Sequence, residues 1–186
     1  MAYSHVLGEA NGPLDAPLLV VGEAPGRDGA ARTGVPFHGD RSGDRFESLL
    51  AAAGLDRSRV FVTNAVLCNP LDAGGSNRRP LASELARCLD HLAATLELVR
   101  SSVVVALGGV ALDALGRIEA HAAASVVAEA GRARAWRGRT LVPLVHPSPR
   151  TQGARTWERQ LEDWRAVGRL VREAERVRDE GERAVR

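Results

Sequence analysis

The sequence contains no lysine, only two cysteines and no long apolar run, and each of these absences excludes a class of function. All 25 basic residues are arginines, so no side-chain amine is available to form a Schiff base with a carbonyl substrate. Cys68 and Cys88 are too few to build a disulfide framework. The apolar runs are far shorter than a membrane-spanning helix, and the N-terminus does not resemble a secretory signal. These absences predict a reduced, cytoplasmic protein without a membrane segment.

The overall composition is that of an ordinary globular domain. Hydrophobic residues make up 45% of the chain and charged residues 26%, which is typical of a domain with a packed core. A length of 186 residues suits one domain, so we expect residues 1–186 to fold as a single unit. The formal net charge of +2 does not by itself indicate a nucleic-acid partner, and we expect a monomer.

Short apolar runs alternate with stretches of helical periodicity, a pattern typical of α/β domains. Four runs rich in valine and leucine predict buried parallel strands over residues 17–22, 60–64, 102–107 and 139–145. Apolar residues spaced by three or four positions predict helices over residues 43–53, 81–99 and 108–115. The pattern therefore predicts a three-layer α/β/α sandwich around a central, mainly parallel four-stranded sheet.

The C-terminal part of the chain has the pattern of one long, charged, amphipathic helix. From about residue 154 onward, apolar residues recur on one stripe, which indicates a helix packed on the domain. The last dozen residues are nearly all charged, so we expect a solvated or frayed end.

Binding sites in such sheets form in the loops beyond the carboxyl ends of the strands. The first of these loops is Gly22-Glu23-Ala24-Pro25-Gly26, in which small residues allow a close backbone approach to a ligand and proline stiffens the turn. Phe37 follows within a second glycine- and proline-rich loop. It is either a plug for the core or an aromatic face on which a flat base stacks, a contact that contributes about 1–3 kcal/mol.

Two polar side chains in these loops have both a structural and a functional interpretation. Asp40 lies just before a predicted helix, and it either caps the helix or orients water and stabilises a cationic sugar. Ser42 is the other candidate cap. Asn64 ends the second predicted strand, and its amide either pairs with the polar edge of a flipped pyrimidine or serves only as a turn residue.

A histidine and a basic segment surround the end of the last predicted strand. His146 follows the strand and precedes Pro-Ser-Pro, so it can donate a hydrogen bond to an oxygen that gains charge as a leaving group departs. Ser148 and neighbouring backbone amides can hold a phosphate. Six arginines and no acidic residue lie between residues 130 and 157, which suits a phosphate backbone but also a solvated hairpin.

These motifs, in this order, resemble those of the uracil-DNA glycosylase superfamily over about residues 19–165. The first loop is similar to the first motif of family four, and Gly34-Val35-Pro36-Phe37 is similar to that family's stacking segment. Val62-Thr63-Asn64-Ala65-Val66 resembles its uracil-reading strand end, and His146-Pro147-Ser148-Pro149 resembles the final motif of the superfamily. The segment Gly39-Asp40-Arg41-Ser42-Gly43 is more similar to family five, in which an aspartate acts on water.

The resemblance implies a monofunctional DNA glycosylase that flips uracil out of single- or double-stranded DNA, hydrolyses its N-glycosidic bond and leaves an abasic site for base-excision repair. The first loop would line the pocket, Phe37 would stack on the uracil and Asn64 would read its edge. His146 would stabilise the departing anion at O2. Asp40 would support the cationic sugar or direct water to C1′, while Glu23 shapes the first loop through an ion pair. Contacts to DNA phosphates are implied for Ser42, Ser148 and Arg150.

The cysteines depart from the pattern of this family. Families four and five hold an iron–sulfur cluster on four cysteines, whereas only Cys68 and Cys88 match the later pair and no N-terminal cysteine is present. Two thiolates cannot ligate such a cluster. His5 and one further donor would have to complete the ligand set, which would not match the four cysteines of these families. We therefore expect no metal and no cluster, with both cysteines reduced and adjacent.

Two other functions are compatible with parts of the sequence. A divergent member of the family could bind uracil-containing or abasic DNA without turnover, and a gel shift without product would identify it. A hydrolase of small nucleotides is the other class, but the sequence has neither a phosphate-binding glycine loop nor a metal-binding carboxylate cluster. The motifs favour DNA glycosylase activity.

Overall fold

A five-stranded sheet forms the centre of the protein, seen in a computed structural model that describes residues 6–184. Its strands are β1 (Leu18–Gly22), β2 (Val60–Asn64), β3 (Val103–Leu107), β4 (Arg134–Trp136) and β5 (Arg139–Leu144). The strand order is β2-β1-β3-β5-β4. All neighbouring strands are parallel except β4, which is antiparallel to β5. The carboxyl ends of the parallel strands therefore meet at one edge of the sheet.

The helices of the described residues cover the two faces of the sheet in separate layers. They are α1 (Ala30–Thr33), α2 (Arg41–Ala53), α3 (Ala82–Leu98), α4 (Gly109–Ile118), α5 (Val126–Glu129) and α6 (Trp157–Ala184). Successive strand residues point to opposite faces, so Leu18 packs with α2 and α6, whereas Leu19 packs with α3 and α4. Because both faces of the sheet are buried, the predicted three-layer α/β/α sandwich is confirmed.

The sheet has one strand more than the four expected from the sequence. β4 spans three residues and joins β5 through a tight turn at Arg137 and Gly138, whose φ angles are +48° and +69°. Two consecutive positive φ angles are the geometry of a type I′ hairpin turn. The strand is too short for an apolar alternation to be recognised, and only Trp136 is buried in it. The predicted sheet therefore lacked this edge strand.

The C-terminal helix α6 begins at Trp157 rather than near residue 154. Trp164 and Val167 are buried against α2, and a Cβ atom on Gly168 would overlap the carbonyl oxygen of Ala53. Its charged last turns are largely exposed, as expected, but they are helical to Ala184 and not frayed. None of the helices within residues 6–184 combines the length and the apolar character needed to cross a membrane.

Candidate active site

The carboxyl ends of β1 and β2 place a glycine and an asparagine side by side. Gly22 and Asn64 are paired in register as the last residues of their strands, and both are buried. A Cβ atom at position 22 would lie 2.5 Å from Oδ1 of Asn64 and 2.9 Å from Cε2 of Phe37. Such distances are too short for a real Cβ atom. Only glycine therefore allows the Asn64 amide and the Phe37 ring to meet here.

Phe37 is anchored in the core through one part of its ring, and its backbone is strained. The ring stacks on Phe46 of α2, with centroids 4.8 Å apart and an interplanar angle of 29°. It is nevertheless partly exposed, and the imidazole of His146 lies 5.4 Å away, centroid to centroid. The φ angle of +50° lies in the left-handed region, which costs a non-glycine residue about 1–3 kcal/mol unless the surroundings enforce it. Phe37 thus combines an anchored ring with a surface that a ligand can reach.

The side-chain amide of Asn64 makes no hydrogen bond to the part of the chain that the structure describes. Only 3% of the residue's surface is exposed. An asparagine that only shapes a turn bonds to nearby backbone groups, and Asn64 does not. The amide is therefore available to a ligand that offers both a donor and an acceptor.

His146 is a neutral hydrogen-bond donor at physiological pH. Burial lowers the pKa of its imidazole from the ordinary 6.5 to about 4, and the negative charge of nearby Asp40 only partly opposes this shift. The Nδ1 atom accepts a hydrogen bond of 3.1 Å from the backbone amide of Ser148. The one proton of the neutral ring is therefore on Nε2, and Nε2–H is the donor that the ring offers to a ligand.

The loop that carries His146 is held by bonds from the short 3₁₀ helix that follows, Pro149–Thr151. The Thr151 hydroxyl contacts the carbonyl oxygens of His146 at 2.6 Å and of Ser148 at 2.7 Å. The Ser148 hydroxyl oxygen accepts a bond of 3.3 Å from the amide of Arg150, which leaves its own O–H free to donate. The direction of the imidazole is therefore fixed locally, by residues next to it in the sequence.

Asp40 caps α2 with one of its two carboxylate oxygens. Oδ1 accepts a hydrogen bond of 2.9 Å from the amide of Gly43, and Asp40 is the N-cap residue. The alternative prediction, in which Ser42 caps this helix, was wrong. Oδ2 faces the first loop and the residues that follow it, because a Cβ atom would lie 3.4 Å from it on Gly26 and 2.6 Å from it on Gly29. Asp40 thus has the capping role that the sequence allowed, while its second oxygen stays beside the loops of the site.

Glu23 does not form the ion pair expected from the sequence. Within residues 6–184 its carboxylate has no ion-pair partner, and only a longer-range attraction to Arg79 favours its charge. Partial burial raises the pKa of the Glu23 carboxyl above its ordinary value of 4.5, because burial penalises the charged form. The first loop is instead tied to the end of β2 by backbone bonds, among them a 3.0 Å bond from the amide of Val66 to the carbonyl oxygen of Glu23.

A neighbouring loop that the sequence did not single out also supports the first loop. The Asn69 amide donates to the carbonyl oxygen of Pro25 at 2.5 Å and to Oδ1 of Asn77 at 3.0 Å. Asn77 in turn accepts a bond of 3.0 Å from the amide of Arg27. These asparagines lie in a polar segment without periodicity, so no sequence signal separates them from ordinary turn residues.

Most arginines of the basic segment around His146 are bonded within the protein. Five of its six arginines are bonded to carboxylates or to backbone carbonyl groups, namely Arg132, Arg134, Arg137, Arg139 and Arg155. Arg155, for example, holds the buried Asp163 through bonds of 2.6 and 2.9 Å. The exposed Arg150 is the only member whose side chain makes no bond to the described residues. That this segment suits a phosphate backbone therefore stays a prediction, and Arg150 is its one member with a free guanidinium among the described residues.

Cys68 and Cys88 are half-buried thiols. They lie close enough for Cys88 to affect the pKa of the Cys68 thiol. Burial raises the pKa of the Cys68 thiol, and the nearby Cys88 and Glu84 raise it further. Among residues 6–184 no three histidine, cysteine or carboxylate side chains are grouped to hold a metal ion, and His5 lies outside the described residues. The chain has no further cysteine, so these residues do not fit a cluster that needs four thiolates.

Known proteins resemble this chain in sequence and in fold. The family model of the uracil DNA glycosylase superfamily matches residues 9–167. A type-4 uracil-DNA glycosylase of Thermotoga maritima is 35% identical over 144 residues, which is 77% of this chain and 69% of that protein. A type-5 uracil-DNA glycosylase of Pyrobaculum aerophilum is 34% identical over 151 residues, or 74% of this chain and 64% of that protein. Among solved structures, wild-type SMUG2 of Pedobacter heparinus shares the fold, with a TM-score of 0.56 and 14% identity over 89% of this chain and 77% of that chain.

Proposed function

The chain belongs to the uracil-DNA glycosylase superfamily, and we propose that it is a monofunctional enzyme that excises uracil from DNA. It flips the uracil out of the strand, hydrolyses the N-glycosidic bond and leaves an abasic site for base-excision repair. We expect no strand cleavage, because the chain has no lysine that could form a Schiff base with the abasic sugar. The partner is uracil-containing DNA, single- or double-stranded, and the enzyme acts as a cytoplasmic monomer.

The juxtaposition of Phe37, Asn64 and His146 is the observation that carries this proposal. The partly exposed ring of Phe37 offers a flat surface to an extruded base, and stacking of this kind contributes about 1–3 kcal/mol. The unpaired Asn64 amide presents one donor and one acceptor, which complement the carbonyl oxygen and adjacent N–H of uracil. The missing Cβ atom of Gly22 keeps these two groups together.

His146 stabilises the base as it leaves. When the N-glycosidic bond breaks, the bonding electrons go to the base, and negative charge accumulates on its O2 atom. The Nε2–H group of the neutral imidazole donates to that oxygen without giving up its proton. The donor is oriented before the reaction by the Ser148 amide, and removal of one such donor typically lowers kcat about 10²–10³-fold.

Asp40 acts on the sugar side of the same bond. Loss of the base leaves positive charge on the sugar, which a carboxylate can stabilise, and a water must be directed to C1′. We assign this role to Oδ2 of Asp40, because Oδ1 is engaged as the cap of α2. Asp28 is a weaker candidate because it is exposed and paired with Arg27, and Glu23 is weaker because burial disfavours its charged form.

The DNA backbone next to the flipped nucleotide is held by groups at two loops. The Ser148 hydroxyl and the exposed Arg150 guanidinium belong to the loop of His146, and Ser42 lies in the first turn of α2. Hydroxyl groups, arginines and helix N-termini are common ligands of DNA phosphates. These phosphate contacts are few, so the base pocket contributes much of the recognition of the DNA.

We further propose that this enzyme works without an iron–sulfur cluster. Only two cysteines are present in the chain, and two thiolates cannot hold such a cluster. Protein purified without oxygen should contain no stoichiometric iron or acid-labile sulfide, and a chelator should leave excision unchanged. Iron in stoichiometric amount together with loss of excision on chelation would contradict this proposal.

An oligonucleotide that carries one uracil tests the activity directly. The enzyme should make the strand labile to alkali at the uracil, and it should not cleave the strand before alkali is added. Asn64→Ala and His146→Ala should each lower excision about 100-fold or more. Arg117→Ala is a suitable control, since it removes only an exposed ion pair of α4. An intact strand after alkali treatment at stoichiometric enzyme refutes the activity, and a gel shift without product would identify a binding protein instead.

A further inference from the structure

We propose that Arg57 is a positioning residue that holds the Phe37 ring in place, an inference that rests on the proposed function. Arg57 opens a short 3₁₀ helix, Arg57–Arg59, directly before β2. Its Nη2 atom donates a hydrogen bond of 2.9 Å to the carbonyl oxygen of Phe37, a residue 20 positions away in the chain. The strand that ends in Asn64 is thereby connected at its other end to the loop of Phe37.

The guanidinium of Arg57 also contacts the residues beneath Phe37. Its Nε atom donates to Oε1 of Glu47 at 2.7 Å, which fixes the direction of the group. Its central carbon lies 4.9 Å from the centre of the Phe46 ring, the ring on which Phe37 stacks. One arginine thus touches both the backbone of Phe37 and the aromatic ring that supports its side chain.

The backbone of Phe37 requires such support because its conformation is unfavourable. A φ angle of +50° is rare for a residue with a side chain and persists only where its surroundings enforce it. On the other side, a Cβ atom on Gly43 would lie 2.6 Å from the Phe37 carbonyl oxygen, so α2 presses closely against this carbonyl group. The carbonyl is held between Gly43 and Arg57. Loss of the arginine would allow the peptide to rotate and the ring to leave the pocket.

The ion pair with Glu47 alone does not account for this arrangement. Exposed arginine–glutamate pairs contribute little to stability, and both side chains here are partly exposed, at 29% for Arg57 and 48% for Glu47. Arg57 lines a surface hollow of about 340 Å³ between residues 9–12 on one side and Val35, His38 and Glu47 on the other, and its Nη1 atom is buried there without a hydrogen-bond partner among the described residues. A small guanidinium compound can therefore enter the space that a truncated Arg57 would leave.

Binding of free uracil, followed by ligand-observed NMR, tests the inference without requiring turnover. Arg57→Ala should weaken uracil binding roughly tenfold, because base stacking on Phe37 is lost. Binding of a duplex with a tetrahydrofuran abasic analogue should stay unchanged, since that ligand has no base to stack. Methylguanidinium should restore uracil binding to Arg57→Ala. Arg117→Ala, which removes an exposed pair with Asp113, should behave as wild type throughout.

Uracil binding by Arg57→Ala equal to that of wild type, or no uracil binding by wild type, would overturn the inference. A parallel loss of uracil and abasic-duplex binding that methylguanidinium does not reverse would also overturn it, because general destabilisation has that effect. If Arg57→Ala does not fold, Arg57→Lys decides the question, and wild-type uracil binding in that variant counts against the inference. A wild-type protein that binds uracil without excising it would refute the proposed function and leave the role of Arg57 intact.

Discussion

Acidification should destabilise the protein through His146, and His146→Asn should remove most of that effect. The imidazole pKa falls from the ordinary 6.5 to about 4 in the folded chain because the ring is buried. Between these values the unfolded chain binds a proton that the folded chain does not, so stability is lost as the pH falls through this window. For one group with these two pKa values, the loss between about pH 7.5 and about pH 5 is about 2 kcal/mol.

Urea unfolding followed by circular dichroism at these two pH values measures the effect. The asparagine Oδ1 atom can accept the bond from the Ser148 amide in place of Nδ1, and the asparagine side chain does not titrate. Other titrating groups contribute equally to both proteins, so the difference between wild type and His146→Asn isolates the imidazole. His91→Asn is the matched control, because it removes an exposed histidine of α3 and should keep the wild-type change in stability.

An equal loss of stability in wild type and in His146→Asn would refute this reasoning. The imidazole would then accept a proton as readily in the folded chain as in water. It would carry a positive charge over part of the working pH range, and the assignment of a neutral Nε2–H donor to the leaving group would fail with it.

Three further substitutions test other parts of the site and its support. Gly22→Ala should abolish excision by displacing the Asn64 amide, and wild-type turnover would show that the pocket accommodates a Cβ atom. Asp40→Asn should retain the helix cap and lose excision, whereas Asp40→Ala should lose excision and also about 1 kcal/mol of unfolding free energy. An active Asp40→Asn enzyme would restrict this residue to capping. Arg155→Met should cost about 3–5 kcal/mol in urea unfolding because the buried Asp163 loses its partner, and a cost below about 1 kcal/mol would place the pair with weak surface ion pairs.

Strands β1, β2, β3 and β5 could be predicted from the sequence, because each contains a run of apolar residues. Every residue of β1 and β3 is buried, as expected for parallel strands with helices on both faces. β4 escaped prediction because its one buried side chain, Trp136, gives no periodicity. The positive φ of Arg137 could not be foreseen either, since arginine is not among the residues that favour such turns.

The meeting of Phe37, Asn64 and His146 could be anticipated, because the loops after parallel strands share one edge of the sheet. The pairing of the basic segment could not, since its partner carboxylates all lie outside the segment and carry no motif that links them to it. Arg137, for example, pairs with Glu97 of α3, 40 positions earlier. Arg57 was overlooked for a similar reason, because its turn carries no motif and its contact with Phe37 exists only in the folded chain.

The internal pairing of the basic segment should shorten the time that the protein spends on DNA that carries no uracil. Each phosphate that an arginine neutralises releases counterions and adds roughly 0.9 to the logarithmic dependence of affinity on salt. Six free arginines would hold any duplex firmly in dilute salt and release it in concentrated salt. Four of the six pair with carboxylates, so we expect much of this attraction to be absent. We then expect dwell time to depend on whether a base enters the pocket, with quick release from undamaged stretches and a pause where a uracil has been extruded.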